Sequence, residues 1–317
     1  MLELFKQTVA YKILTGDKNR GELSHAYALV CDDEVALRYF VPIVAKIILC
    51  EDQSCCDVCR HCRLIDKRSH SDVSFYPKNV GGKILTEDIS EVLSQTHIKP
   101  IESDKRVFAF VNTSTMNTAA QNKLLKTLEE PPKGVFLVLG VENENILLST
   151  VKSRVKKLEI PPFSAEQLKV GLKDNCPDKS KLESAITLAD GKIGKVLEYY
   201  GDDKTWQTEN LVYNLLEQMK SSREVSSFAC KIDKDNIKEV LICLKRVFSE
   251  IVRGETLGFK NAKVEQLSKI YKCASAIAII EKINLLERAL FFNGNVNMIT
   301  DNLLLCILEE KYRWQKL

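Results

Sequence analysis

From residue 26 to residue 160 the chain alternates short apolar runs with segments of helical periodicity, and at Pro161-Pro162 the alternation stops. The apolar runs Ala26–Val30, Val73–Tyr76, Val107–Val111, Val135–Val141 and Lys157–Ile160 read as strands. Val35–Leu49, Thr86–Thr96 and Thr118–Glu129 read as helices between them, with Thr86 as the cap of the second. Strand–helix alternation of this kind predicts an α/β fold with a mostly parallel sheet and helices on both faces. From Ser164 onward only helical periodicity remains. A short helical unit covers about 164–204, followed by helices over about 206–219, 235–253, 263–290 and 296–311, the last with the stripe Ile299, Leu303, Leu304, Ile307 and Leu308. The pattern divides the chain into an α/β domain at 1–161, a small helical domain at 162–204 and a C-terminal helical domain at 205–317.

The 317 residues suffice for two or three domains with a sizeable core. Forty-six basic and 43 acidic residues leave a net charge of +3, too balanced to mark a nucleic-acid or membrane surface by bulk charge. The opening MLELFKQTVAYKILTG is an amphipathic helix pattern interrupted by Glu3, Lys6 and Lys12, unlike a signal peptide. The apolar run Phe40–Cys50 contains Lys46 and is too short to span a bilayer, so no membrane association and a cytoplasmic location are expected.

Five of the 11 cysteines fall between residues 50 and 62. In a reducing compartment such a cluster suggests metal rather than disulfides. Cys50, Cys56, Cys59 and Cys62 have the short spacings of a tetrahedral, structural Zn²⁺ site with no open position for a substrate. Cys59 and Cys62 are one helical turn apart. Cys55 is an alternative to Cys56, and His61 and His70 are possible substitutes, although the neighbours of His61 suggest that it points away. Cys243, Cys273 and Cys306 lie in apolar helical patterns and read as core residues.

Two further segments carry less information on pattern alone. In NKLLKTLEEPP, residues 122–132, Leu124, Leu125 and Leu128 form an apolar face, Lys123, Lys126 and Glu129 point outward, and Pro131-Pro132 stops the helix. Ser153-Arg154 sits among Lys152, Lys156 and Lys157. By pattern it is a surface arginine or one that reaches a neighbouring subunit to stabilise phosphoryl charge. An absence is more telling. The G-x-x-x-x-G-K-[ST] loop occurs nowhere: the Gly-Lys pairs at 82–83, 191–192 and 194–195 are followed by Ile84, Ile193 and Val196. Where the first strand turns into a helix, in LVCDDEVALRYF, the glycines and lysine that would cradle a phosphate are replaced by Cys31, Asp32, Asp33 and Glu34, and the acidic residues would repel an anion.

The blocks SHAY (24–27), HCRLIDKRSHSDV (61–73), NKLLKTLEEPP (122–132) and STVKSR (149–154), in this order, closely resemble the delta-prime and gamma/tau subunits of the bacterial DNA polymerase III clamp loader, in the AAA+ ATPase superfamily. The likeness is densest from Ser24 to Arg154, and weaker in ADGKIGKVLEYY (189–200), where Lys195 stands at the family's second-sensor position. The departures set the chain on the delta-prime side. Val111-Asn112 stands where an ATPase carries its Asp-Glu pair, and an uncharged pair cannot hold Mg²⁺ or polarise water. Gly140-Val141 replaces a Thr-type sensor.

The resemblance therefore implies an AAA+ sheet domain without a functional P-loop, a zinc module at 50–62, a helical lid at 162–204 and an all-α collar at 205–317. It implies a noncatalytic subunit that binds no ATP itself. Arg154, with Ser153 beside it, is directed as an arginine finger into the ATP site of an adjacent gamma/tau subunit; Val155 replaces the family's usual cysteine. The implied partners are gamma/tau and delta subunits and, through the complex, the sliding clamp and primer-template DNA. Two other readings are a degenerate gamma/tau-type subunit that still binds ATP and, from a different class, a zinc-containing nucleic-acid-binding module.

Overall fold

A computed structural model of the chain describes all residues except 53, 80, 259–261 and 314–317. Residue 53 of the expected zinc module and the other omitted positions of the C-terminal part thus lie outside the described residues. The chain forms two compact units, Met1–Leu197 and Glu198–Leu317.

The first unit opens with two helices, α1 (Leu2–Lys6) and α2 (Val9–Arg20), where the sequence pattern predicts one. The break comes at Thr8, whose extended backbone and hydroxyl, accepting the Tyr11 N–H, start a new helix. The sheet domain follows in the expected order: β1 (Ala26–Val30), α3 (Glu34–Leu49), α4 (Arg60–Asp66), β2 (Val73–Tyr76), α5 (Thr86–Gln95), β3 (Arg106–Phe110), α6 (Thr118–Glu129), β4 (Val135–Val141), α7 (Ser149–Lys152) and β5 (Lys156–Glu159). The cap of α5 is Leu85 rather than Thr86, because the Asp88 carboxylate reaches back to the Leu85 N–H. Every strand pair is parallel, in the order β2-β3-β4-β1-β5. β3 and β4 are buried along their whole length, which explains why they read as unbroken apolar runs without alternation. α3 packs on β3 and β4, and its buried face includes Phe40, Val41, Val44 and Ile48. α6 packs with α5 and α7, burying Leu124 and Leu128 as its spacing predicts. After Pro161-Pro162 the unit continues with α8 (Ala165–Leu172), α9 (Lys179–Leu188) and the start of α10 (Ile193–Gly201).

The second unit is all helical: α11 (Asp203–Gln218), α12 (Ser222–Ala229), α13 (Ile237–Leu257), α14 (Ala262–Ile270), α15 (Cys273–Phe291) and α16 (Val296–Arg313). α15 packs between α13 and α16 around Leu244, Phe248, Ile279, Ile283 and Leu304. The pattern at 263–290 reads as one helix, but the structure divides it. Tyr271 is fully buried with its hydroxyl bonded to the Leu216 carbonyl, and Lys272 is extended, so the chain turns there. α12, short and started by a Ser221 cap, has too few apolar positions to show as a period. Among the described residues no helix is long and apolar enough to cross a membrane.

Candidate functional site

The first place of interest is the connection from β1 to α3, made by Cys31, Asp32 and Asp33 alone. One Asp33 carboxylate oxygen accepts the Ala36 N–H at 3.1 Å and caps α3. The other accepts the Gly194 N–H at 2.9 Å, at the start of α10. Asp32 pairs with Lys192 at 2.6 Å. Two helix N-termini, each favouring an anion, thus meet at a single carboxylate. The anion comes from the chain itself. A Cβ on Gly194 would lie 2.7 Å from Asp33 Oδ1 and 2.9 Å from Val35 Cγ2, so this approach requires glycine. Burial and the neighbouring carboxylates push the Cys31 thiol up to about 12, leaving it protonated and unreactive. Asp32 raises the affinity of the Lys192 amine for its proton. Lys195 is exposed. It is Lys192 that turns toward the β1–α3 connection. An open cleft of about 430 Å³ lies alongside, where Asp32, Asp33, Glu142, Glu144 and Glu159 outnumber Lys157 and Lys192.

At the end of β3 the residues are committed to local bonds. Asn112 Oδ1 accepts the Ser114 N–H at 3.0 Å, and its Nδ2 donates to Glu142 at 2.8 Å. Gly140 in β4 has no room for a side chain, because a Cβ there would run into the Val111 carbonyl oxygen and Val41. A threonine cannot be accommodated at that point without moving β3.

Arg154 lies at the other end of the sheet. It precedes β5, whose Lys156 is paired with Tyr27, while the Asp32-Asp33 connection follows Val30, paired with Glu159. At about 3.3 Å per residue the two places are separated by at least the ~10 Å from Tyr27 to Val30. The side chain is about one-third exposed and its guanidinium is held on two sides. Nη2 is 2.7 Å from Glu129 Oε1. Nη1 donates to the Thr150 carbonyl at 2.8 Å and to Ser153 Oγ at 3.1 Å. Val155 packs against the core under the sheet. Glu129 is the last residue of α6, whose end is tied to the start of β1 by the His25 ring N–H donating to the Leu128 carbonyl at 3.0 Å. Gln121, buried in α6, clasps the segment before α7, donating to the Ile146 carbonyl and accepting the Leu148 N–H.

The cysteine cluster forms the third place. The sulfurs of Cys50, Cys56, Cys59 and Cys62 lie within 4.8 Å of one another. Cys50 is 3.4 Å from Cys56 and 3.8 Å from Cys59. A tetrahedron with metal–sulfur bonds of about 2.3 Å has edges of about 3.8 Å, so this donor set can hold a metal ion. Backbone N–H groups of Cys59 and Val58 lower the Cys56 thiol to about 7, whereas burial raises Cys50 to about 12. A bound cation would reverse the second effect and favour all four thiolates. Cys55 is outside this set and donates to Asp57 at 3.2 Å, although Cys55, Asp57 and Cys62 form a second, mixed group. His61 faces His70 at 2.8 Å between ring nitrogens and is in neither group. The module is tied to the body by two lysines. Buried Lys46 reaches Asp57 at 2.7 Å and Asp66 at 2.6 Å, and Lys18 donates to the carbonyls of Cys50 at 2.6 Å and Asp52 at 2.5 Å.

Glu129, Lys192 and Lys46 hold these places together, and their sequence signal was faint. Lys46 showed only as a charge inside an apolar run, Lys192 as the lysine of a Gly-Lys pair that is no P-loop, and Glu129 as an outward-facing residue before a proline stop.

Comparison with known proteins places the sheet-bearing part of the chain in one family. Residues 6–164, half of the chain, match the family described as DNA polymerase III, delta subunit. DNA polymerase III subunit delta' of Bacillus subtilis is 26% identical over 210 residues, covering 65% of this chain and 63% of the relative, so the chain spans less than two thirds of that protein. Subunit delta' of Buchnera aphidicola subsp. Schizaphis graminum is 24% identical over 320 residues, covering 97% of this chain and 95% of the relative. Among solved structures, a DNA polymerase III, gamma subunit-related protein from Thermotoga maritima covers 94% of this chain and 99% of its own, with 18% identity and a TM-score of 0.42. The matched residues hold the sheet from β1 to β5 together with the cysteine cluster and Arg154, and on that match the chain belongs to the DNA polymerase III delta subunit family.

Proposed function

We propose that the chain is a noncatalytic, delta-prime-type subunit of the DNA polymerase III clamp loader. It binds no ATP itself and supplies Arg154, with Ser153, to the ATP site of an adjacent gamma/tau subunit. The observation that carries this reading is the separation of the two ends of the sheet. At the strand C-termini, where an open α/β sheet offers its nucleotide site, Asp33 already occupies the helix N-termini and Asp32 is paired with Lys192. At the strand N-termini a half-buried arginine stands too far away to serve that site. An arginine so placed serves a neighbour's phosphates.

Within this reading, residues 1–161 are the AAA+ body, 162–204 a lid and 205–317 a collar that packs with delta and gamma/tau subunits. The assembly places the sliding clamp on primer-template DNA. Cys50, Cys56, Cys59 and Cys62 hold one structural Zn²⁺, which cross-links the end of α3 to the start of α4.

The test is a clamp loader reconstituted with its own gamma/tau and delta subunits. Arg154→Ala should lower the DNA- and clamp-stimulated ATPase by roughly 10³-fold or more if a single finger limits turnover, with the complex still assembling. Unchanged turnover would remove the finger assignment. Micromolar ATP binding by the isolated chain in a calorimetric titration would instead favour a degenerate gamma/tau-type subunit.

A further inference from the structure

We propose that Glu129 is a positioning residue for Arg154: it presents the guanidinium to the neighbouring subunit and acts on turnover only through that arginine. This rests on the finger reading above and goes beyond it. The pair is a contact between two of the blocks that mark the chain, LEEPP and STVKSR, brought to the same end of the sheet by the fold.

The geometry argues for presentation. Nη1 donates to the Thr150 carbonyl and to Ser153 Oγ, and Nη2 forms an ion pair with Glu129 Oε1 at 2.7 Å. Nε has no partner among the described residues, which leaves the Nε side of the plane open to a phosphoryl group. An arginine side chain freely rotating in water would have to be ordered each time it docks. Here the plane is fixed beforehand by three acceptors, two on the segment that carries Arg154 and one on α6.

Glu129 is itself well placed to be a fixed point. It ends α6 immediately before Glu130-Pro131-Pro132, which cannot continue the helix. The carbonyl of the preceding Leu128 is held by His25. Gln121 binds the same helix to the segment that leads into α7. The carboxylate therefore keeps its distance from the Arg154 backbone through two independent ties. Removing it should leave the guanidinium on one side only, free to swing away from the plane set by Thr150 and Ser153.

The experiment is a double-mutant cycle in the reconstituted loader, with stimulated ATPase read as kcat and KM separately. Glu129→Ala should lower kcat by about 10-fold with little change in KM for ATP, as expected for loss of one charge-assisted bond that orders a transition-state group. Glu129→Gln, which keeps an acceptor oxygen at the same place, should recover part of the rate. Combined with Arg154→Ala, Glu129→Ala should add no further loss. If Arg154→Ala impairs the loader and neither Glu129 variant does, the positioning role is overturned while the finger stands. A further loss in the double variant overturns it as well, since Glu129 would then act elsewhere. So does a faster single variant, the sign of an arginine restrained rather than presented. If Arg154→Ala itself has no effect, the finger reading fails and takes this one with it. Matching thermal melts of Glu129→Gln and the parent chain keep the comparison free of folding defects.

Discussion

A single carboxylate defines the β1–α3 connection. Asp33 caps α3 and receives the Gly194 N–H, so one side chain answers two orphan donors. Asp33→Ala should destabilise the full chain by about 1–3 kcal/mol in a denaturant titration, combining a lost cap with a lost tertiary bond. Asp33→Asn keeps a cap of similar quality and should lose far less. Equal stability of the alanine variant and the parent would show that neither bond matters. The composition of this turn was readable in the sequence, where Asp32 and Asp33 stood out as hostile to an anion. What they bind was not, because Lys192 and Gly194 lie some 160 residues along the chain and only folding brings them there. Lys195 illustrates the limit. The motif selects it, but Lys192, just before α10, is the lysine that pairs with Asp32, while Lys195 in the first turn of the helix is exposed.

At the scale of elements, periodicity carried most of the α/β half. β3, buried along its whole length, gave an apolar run displaced by one residue from the strand, and the reading at β5, an edge strand with only Leu158 buried, is displaced by one residue as well. Periodicity failed where a short polar interruption broke a helix. Thr8 and Lys272 both adopt extended backbone inside an otherwise helical pattern, and a single such residue leaves the average unchanged. The cysteine segment shows a different gap. Spacing named the four cysteines that the fold brings together, yet α4 is a helix of only seven residues, too short to be stable alone. Its order must come from ties outside it. Purified protein should contain about one zinc per chain. Chelation, or Cys59→Ser, should sharply increase hydrogen exchange across the segment from Cys50 to Asp66 while amides of β1 and β4 stay protected. Metal-free protein with equally protected amides in α4 would mean that Lys18 and Lys46 suffice to hold the module.

For the molecule as a whole, the proposal makes the chain's stability independent of nucleotide. A ligand that binds the native state at about 1,000 times its Kd adds about 4 kcal/mol. Saturating Mg–ATP should produce no such shift in the melting of this chain, and a clear upward shift would speak for a degenerate ATP-binding subunit. The β1–α3 connection also bears on how such a chain can change over generations. A loop of the G-x-x-x-x-G-K-[ST] kind is about eight residues long, and here only Cys31, Asp32 and Asp33 separate strand from helix. Substitutions at these positions can alter charge but cannot lengthen the path. Gly140, hemmed in by the Val111 carbonyl, would have to be relieved as well. Building a nucleotide site here would therefore take an insertion and a coordinated shift of β3, which no series of single-residue replacements in the turn can reach.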